Sequence, residues 1–281
     1  MSHTTRLFPS YGVPNIAKLR EQNMAYVDKT SFIRKLEETR GLYVFMVRPR
    51  RFGKTMFSSI LCAYYDEAMQ DQFEEIFART EILERPTLKK GSYRVLQFDF
   101  SGIDVANPKI GFISKICNGL TDFYARYPIP EVLDLAKNPP EDPSSLIDSF
   151  FRIVRVHSKT PLYVIVDEYD EMLNEILSGN SSKFQTIIGD GGFVKAFYAS
   201  LKSATSNVVD RIFITGVLPI SLDSMTSGFN IAKDYTLRND FADALGFTES
   251  ELSNLIAETV DLNSLGLTQE YILKRMKSQY N

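Results

Sequence analysis

A continuous apolar run that stops at a glycine-lysine-threonine step constrains this chain more than any other feature. From Tyr43 to Leu61 it reads YVFMVRPRRFGKTMFSSIL. Leu42 to Val47 is apolar and β-rich without polar alternation, the pattern of a strand buried on both faces and hence of a parallel sheet covered by helices. From Lys54 to about Met69 the pattern becomes helical. A short loop feeding a helix N-terminus gathers negative charge, because free backbone N–H groups and the helix dipole both point at it. At that junction Gly53 permits close backbone approach, Lys54 is placed to bridge β- and γ-phosphates, and Thr55 to put its hydroxyl on Mg²⁺. The G-x-x-x-x-G-K-[ST] pattern is incomplete, however, with Arg48 where its first glycine belongs. The expected nucleotide-contacting set is Arg50, Arg51, Phe52, Gly53, Lys54, Thr55 and Met56. Arg50 and Arg51 leave three roles open: phosphate contact, reach into a neighbouring subunit, or plain solvated charge.

A second signal is independent of the first. PLYVIVDEYD carries an apolar run, Leu162 to Val166, that ends in Asp167 and Glu168. Both carboxylates are expected at the C-terminal end of a central strand, where open α/β sheets bind ligands. In phosphate-loop ATPases an aspartate there holds Mg²⁺ through water, and an adjacent glutamate polarises the attacking water. Adjacent carboxylates at a buried strand end are costly unless a cation neutralises them. Thr215, ending the strand RIFITGV, is placed as a polar sensor of the γ-phosphate or simply as a strand-ending threonine. The candidate catalytic residues are therefore Glu168, Lys54 and Thr215, and the candidate metal-holding residues Thr55 and Asp167. DFSG, Asp99 to Gly102, fits the D-x-x-G of GTPases, but no N-K-x-D follows it to read guanine. His157 reads as a surface or core histidine.

Strands at Tyr93 to Phe100 and Arg211 to Val217 complete the set, separated by helical stretches near 110–127, 144–157 and 192–203. This alternation predicts a three-layer α/β/α fold. Upstream, Phe32, Ile33 and Leu36 follow Asp28 and Thr30 as in a capped amphipathic helix. KNPPEDPSS and LSGNSSK read as surface connectors. Beyond Asp234 the strand signal fades into three short helical patterns, with a capping box at Thr248 and Glu251 and half of one at Thr268. The expected organisation is an N-terminal segment and helix (1–40), a nucleotide-binding core (41–233) and a helical lid (234–281).

A net charge of −3 among 281 residues offers no basic field for nucleic acid. Cys62, Cys117 and two histidines cannot build a zinc site, and the cysteines read as packing residues. MSHTTRLFPS lacks a signal-peptide layout and no apolar run approaches the roughly 18 residues that span a bilayer. The expectation is an intracellular, cytoplasmic chain without a membrane partner.

Seven ordered motifs, VDKTSFI, RPRRFGKT, LQFDFS, VIVDEYD, FITGV, SGFN and LGFTESEL, together resemble the predicted AAA-ATPase-like family over nearly the whole chain from Tyr11. In that family R-P-R-R-F-G-K-[ST] resembles its own form of the phosphate loop. The resemblance implies a P-loop NTPase of the additional-strand (ASCE/AAA-like) type with a small C-terminal helical lid, ATP and Mg²⁺ as ligands, and the metal and water-activating roles for Asp167 and Glu168. It assigns no role to Asp28 or Lys29. Such proteins often continue through an aromatic-rich segment into a PD-(D/E)XK nuclease-like domain. This sequence ends at MKSQYN, so the expected lid is incomplete and no nuclease is expected here. The resulting functional expectation is ATP hydrolysis to ADP and phosphate as a conformational switch, with a homo-oligomer or protein partner. The alternatives are a nucleotide-binding module without turnover and a phosphotransferase.

Overall fold

The computed structural model describes residues 7, 8, 10, 12–179, 187–189, 191–218 and 229–280. Most of LSGNSSK, and Ser227 and Gly228 of SGFN, lie outside them, as does Tyr11. Five strands form one all-parallel sheet: β1 (Tyr43–Val47), β2 (Arg94–Asp99), β3 (Leu162–Asp167), β4 (Val209–Gly216) and β5 (Lys233–Asp234), in the order β2-β3-β4-β1-β5. β4 thus lies between β1 and β3. β5 pairs its two residues with Val44 and Phe45. Lys233 and Asp234 are both exposed, so β5 lacks the buried apolar residues that the other strands carry.

The sheet is buried on both faces because its strands alternate between two apolar layers. Val44, Met46, Val95, Tyr163, Ile165 and Phe213 face one layer, which includes helices α1 (Ile16–Glu21), α2 (Ser31–Glu38) and α3 (Lys54–Tyr65). Two short helices, α4 (Phe73–Ile76) and α5 (Glu81–Glu84), also belong to it. Phe45, Val47, Leu96, Phe98, Val164 and Ile212 face the other. That layer holds α6 (Pro108–Arg126), α7 (Pro130–Lys137), α8 (Pro143–His157), α9 (Glu171–Gly179) and α10 (Phe193–Ala204). Proline at the first positions of α6, α7 and α8 fits its fixed φ and missing N–H.

Several local expectations shift. α3 ends at Tyr65 rather than Met69, and a 3₁₀ helix, Glu67–Gln72, follows after Asp66 turns to extended backbone. Thr30 precedes α2 with helical φ and no side-chain cap bond. Its hydroxyl accepts the Ile82 N–H at 3.2 Å instead, while the Asp28 carboxylate accepts from Thr30 N (2.8 Å) and Glu81 N (2.7 Å). NDFADALGF forms a 3₁₀ helix, Asn239–Ala244. Beyond it run α11 (Glu249–Thr259), α12 (Leu262–Leu265) and α13 (Gln269–Tyr280). α11 opens on the expected capping box. His157 sits on the surface with Nε2 3.4 Å from Glu131, and Cys62 packs internally with Sγ 3.2 Å from Gln97 Oε1. No helix among the described residues is long and apolar enough to cross a membrane.

Gly119 shows how closely the layers approach. A Cβ there would stand 2.6 Å from the Gln97 carbonyl oxygen and 2.7 Å from the Phe98 ring. Alanine is favoured over glycine within a helix by about 1 kcal/mol, yet overpacking costs about 1–3 kcal/mol. Gly119→Ala is therefore expected to destabilise the fold, lowering the denaturation midpoint in urea; a raised midpoint would mean that α6 backs away from β2 freely.

Candidate functional site

The strands β1, β3 and β4 all run the same way, so their C-terminal ends deliver three chemically different groups to one edge. β1 leads into the turn Arg48–Gly53, β3 ends in Asp167 and continues into Glu168, and β4 carries Thr215 between them, opposite Met46. Gly53 takes φ +82° and ψ 20°, the left-handed conformation that glycine adopts without penalty. Nothing lies within 4 Å of a Cβ built there, so backbone conformation rather than crowding calls for glycine in the ligand-free turn. Arg51 also has positive φ, +69°. No backbone carbonyl among the described residues accepts from the N–H groups of Arg50 to Met56. A turn whose N–H groups are free, ahead of a twelve-residue helix, is a cradle for an anion.

Arg48 explains the missing first glycine. Its N–H donates to the Gly216 carbonyl at 3.1 Å, tying the turn to β4. Its guanidinium leaves the cradle and donates to the carbonyls of Val47 (3.0 Å), Thr236 and Phe241 (3.5 Å). The Val47 N–H is taken by the Thr236 hydroxyl at 3.2 Å. Arginine is thus a strut between the turn and the segment after β5, a task glycine cannot perform.

Lys54 is almost wholly buried, 4% exposed. Its Nζ is 3.4 Å from Glu168 Oε1 and 3.4 Å from the Pro49 carbonyl. Both separations are longer than the 2.7–3.2 Å of good N–H···O bonds, so this buried cation is under-satisfied. Glu168 sits at φ +50°, uncommon for a residue with a side chain. Burial raises its pKa above the usual carboxylate range, and Lys54 opposes the rise.

Asp167 is 1% exposed. It accepts the Glu168 N–H at 3.0 Å and a bond from the Thr55 hydroxyl. Burial, with Glu168 and Asp99 adding repulsion, pushes its pKa up to about 6. Thr215 is fully buried, and its hydroxyl has no partner among the described residues. Arg50 reaches outward to Glu171, 3.6 Å away, with its side chain 74% exposed. Phe52 turns from the cradle toward the C-terminal segment, where its carbonyl accepts the Gly246 N–H at 2.8 Å.

Three further side chains carry no role from the sequence alone. Asp99 ends β2 directly opposite Asp167. Asp170, fully buried, accepts from the N–H groups of Val217 (3.0 Å) and Leu218 (2.7 Å) and from the Asn174 amide (2.7 Å). It thereby ties the turn after β3 to the exit of β4. Lys29 lies at the rim of a cavity of about 150 Å³. That cavity lies between the N-terminal segment (Tyr26, Val27), the start of α3 (Gly53, Met56) and the C-terminal segment (Leu245, Leu255). The second aspartate of VDEYD was a visible signal for Asp170; the others depend on partners distant in sequence.

A parallel α/β sheet with a glycine-lysine-threonine turn between a buried strand and a helix is compatible with a P-loop NTPase-like fold. The chain belongs to the family described as predicted AAA-ATPase, whose model matches residues 10–226. It is also similar to an uncharacterized protein encoded in the vnfD 5′ region of Azotobacter chroococcum mcd 1, 26% identical over 247 residues. That match covers 88% of this chain and 44% of the relative, so the chain spans less than half the relative's length. No solved structure gives a significant match.

Two predictions follow from the geometry. Arg48→Gly, which restores the usual loop pattern, is expected to destabilise the protein by about 1–3 kcal/mol, because buried carbonyls lose a charged donor; equilibrium unfolding measures it. Asp167 binds a proton more tightly folded than unfolded, so it costs stability as pH rises from about 4 through about 6. Asp167→Asn should therefore raise the melting temperature of ligand-free protein at pH 7 by the equivalent of roughly 1–3 kcal/mol, and change it little at pH 4.

Proposed function

We propose that this protein binds Mg-ATP at the turn Arg48–Gly53 and hydrolyses it to ADP and phosphate, in a P-loop core of the additional-strand type closed by a C-terminal helical lid. The observation that carries this reading is the pairing of an under-satisfied buried lysine with two strand-end carboxylates beside a turn of free N–H groups. Lys54 meets the β- and γ-phosphates, exchanging two long contacts for charge-assisted ones. Thr55 and Asp167 would hold Mg²⁺, which would neutralise charge on the phosphate oxygens. Among the described residues no three His, Cys, Asp or Glu side chains gather as a metal site. An ion such as Mg²⁺ takes one or two protein ligands and completes its shell with phosphate and water. The raised pKa of Asp167 in the ligand-free protein fits a carboxylate placed for a cation.

Glu168, raised in pKa yet beside Lys54, takes the role of the base that holds the proton of the attacking water. Thr215, whose buried hydroxyl has no partner among the described residues, takes the role of a donor to a γ-phosphate oxygen at the edge between β1 and β3. The cavity of about 150 Å³ is below the ~300 Å³ of a typical whole-ligand pocket, so it suits one part of a nucleotide, the base. Arg50, with its weak contact to Glu171 in the same chain, is assigned to phosphates of its own subunit, and Arg51 likewise.

Lys54→Ala is expected to weaken Mg-ATP binding by about 2 kcal/mol or more in calorimetry. Glu168→Gln should keep Mg-ATP bound while slowing phosphate release roughly 10²-fold. A folded Lys54→Ala variant with unchanged affinity would overturn the site. Wild-type protein that binds Mg-ATP without turnover would make it a nucleotide-binding module instead.

A further inference from the structure

The ammonium of Lys29 makes three short contacts: Glu251 Oε1 at 2.7 Å, Glu251 Oε2 at 2.8 Å and the Asp243 carbonyl at 2.7 Å. An ammonium has three protons to donate. Lys29 is 7% exposed and stands 222 residues from Glu251 in sequence. Its backbone is anchored to the core, since its N–H donates to the Tyr26 hydroxyl at 3.0 Å and the neighbouring Asp28 carboxylate is held by Thr30 and Glu81. Glu251 is equally fixed: it accepts the Thr248 N–H at 2.8 Å and completes the cap of α11.

Apolar burial holds α11 only weakly, because Ile256 is its one buried residue. A further tie at the same cavity is the Gly246 N–H on the Phe52 carbonyl. Lys29, Phe52 and Gly246 all line that opening. The lysine therefore joins two walls of the cavity, the N-terminal segment and the C-terminal helical segment.

We propose that Lys29, acting through Glu251 and the Asp243 carbonyl, is a positioning residue that clasps the C-terminal helical segment over the cavity and so retains the base end of a bound nucleotide. This rests on the nucleotide-binding reading above. A role confined to general folding would weaken all ligands alike; a clasp over the cavity weakens only those that carry a base.

The test compares Mg-ATP with magnesium tripolyphosphate by calorimetry on the full chain. Lys29→Met is expected to weaken Mg-ATP at least tenfold and to leave tripolyphosphate affinity within about twofold. Lys29→Arg keeps the charge and should recover part of the loss. Glu251→Gln keeps the helix-cap acceptor and removes the charge, so it decides the matter if Lys29→Met does not fold. Equal loss for both ligands, or no loss for either, overturns the clasp while wild-type binding stands. Wild-type protein that binds tripolyphosphate and not Mg-ATP also overturns it, and wild-type protein that binds neither ligand overturns the nucleotide reading and the clasp together.

Discussion

Everything at the candidate site depends on a six-residue turn being held at both ends while its middle stays unpaired. At one end Arg48 gives its N–H to Gly216 and its guanidinium to the carbonyls of Val47, Thr236 and Phe241. At the other, Phe52 accepts from Gly246. The chain visits left-handed backbone at Arg51, between these anchors, and at Gly53, just past the second. A turn with so many free donors would relax into solvent if its ends were loose; the anchors keep it organised. The arginine at the glycine position therefore supports the loop.

The electrostatics of the edge follow from the same geometry. Parallel strands bring Asp99 beside Asp167, and chain continuity adds Glu168, so negative charge accumulates where burial already disfavours it. Lys54 offsets part of this through Glu168 at 3.4 Å. Asp170, deeper still, is held by backbone and amide N–H groups, which satisfy a carboxylate by hydrogen bonding rather than by countercharge. Two buried aspartates three residues apart thus differ: Asp170 is held by four N–H contacts from three groups, and Asp167 faces the repulsion of Glu168 and Asp99.

β1 and β3 were legible in the sequence because burial on both faces leaves an unbroken apolar run, as in Leu162 to Val166, whereas β2 and β4 showed as β-rich segments interrupted by polar residues such as Gln97 and Arg211. β5 was not, since Lys233 and Asp234 are exposed and pair by backbone alone. The meeting of Lys54, Thr55, Asp167 and Glu168 could be anticipated because each sits at a strand end or helix start whose direction the pattern specifies. Lys29 could not: its partner is 222 residues away, and nothing local to VDKT says that the lysine turns toward α11. Arg48 was noticed only as a departure from a pattern, because its acceptors are carbonyls, which leave no mark on residue identity. Asp28, expected near a helix cap, instead bridges α2 and α5 through backbone N–H groups.

The sheet order also has a consequence for synthesis. β1 never pairs with the strand that follows it in sequence; its neighbours are β4, where Tyr43 lies opposite Ile212, and the short β5. At translation rates of roughly 5–20 residues per second, on the order of ten to thirty seconds separate the making of YVFMV from the making of its main partner. During that interval the most apolar strand near the turn has no ladder to join, and β2 and β3 are free to pair first. The segment on which nucleotide chemistry is proposed to depend is thus made early and locked late, which makes the newly made chain most vulnerable to off-pathway association just where its finished form is best protected.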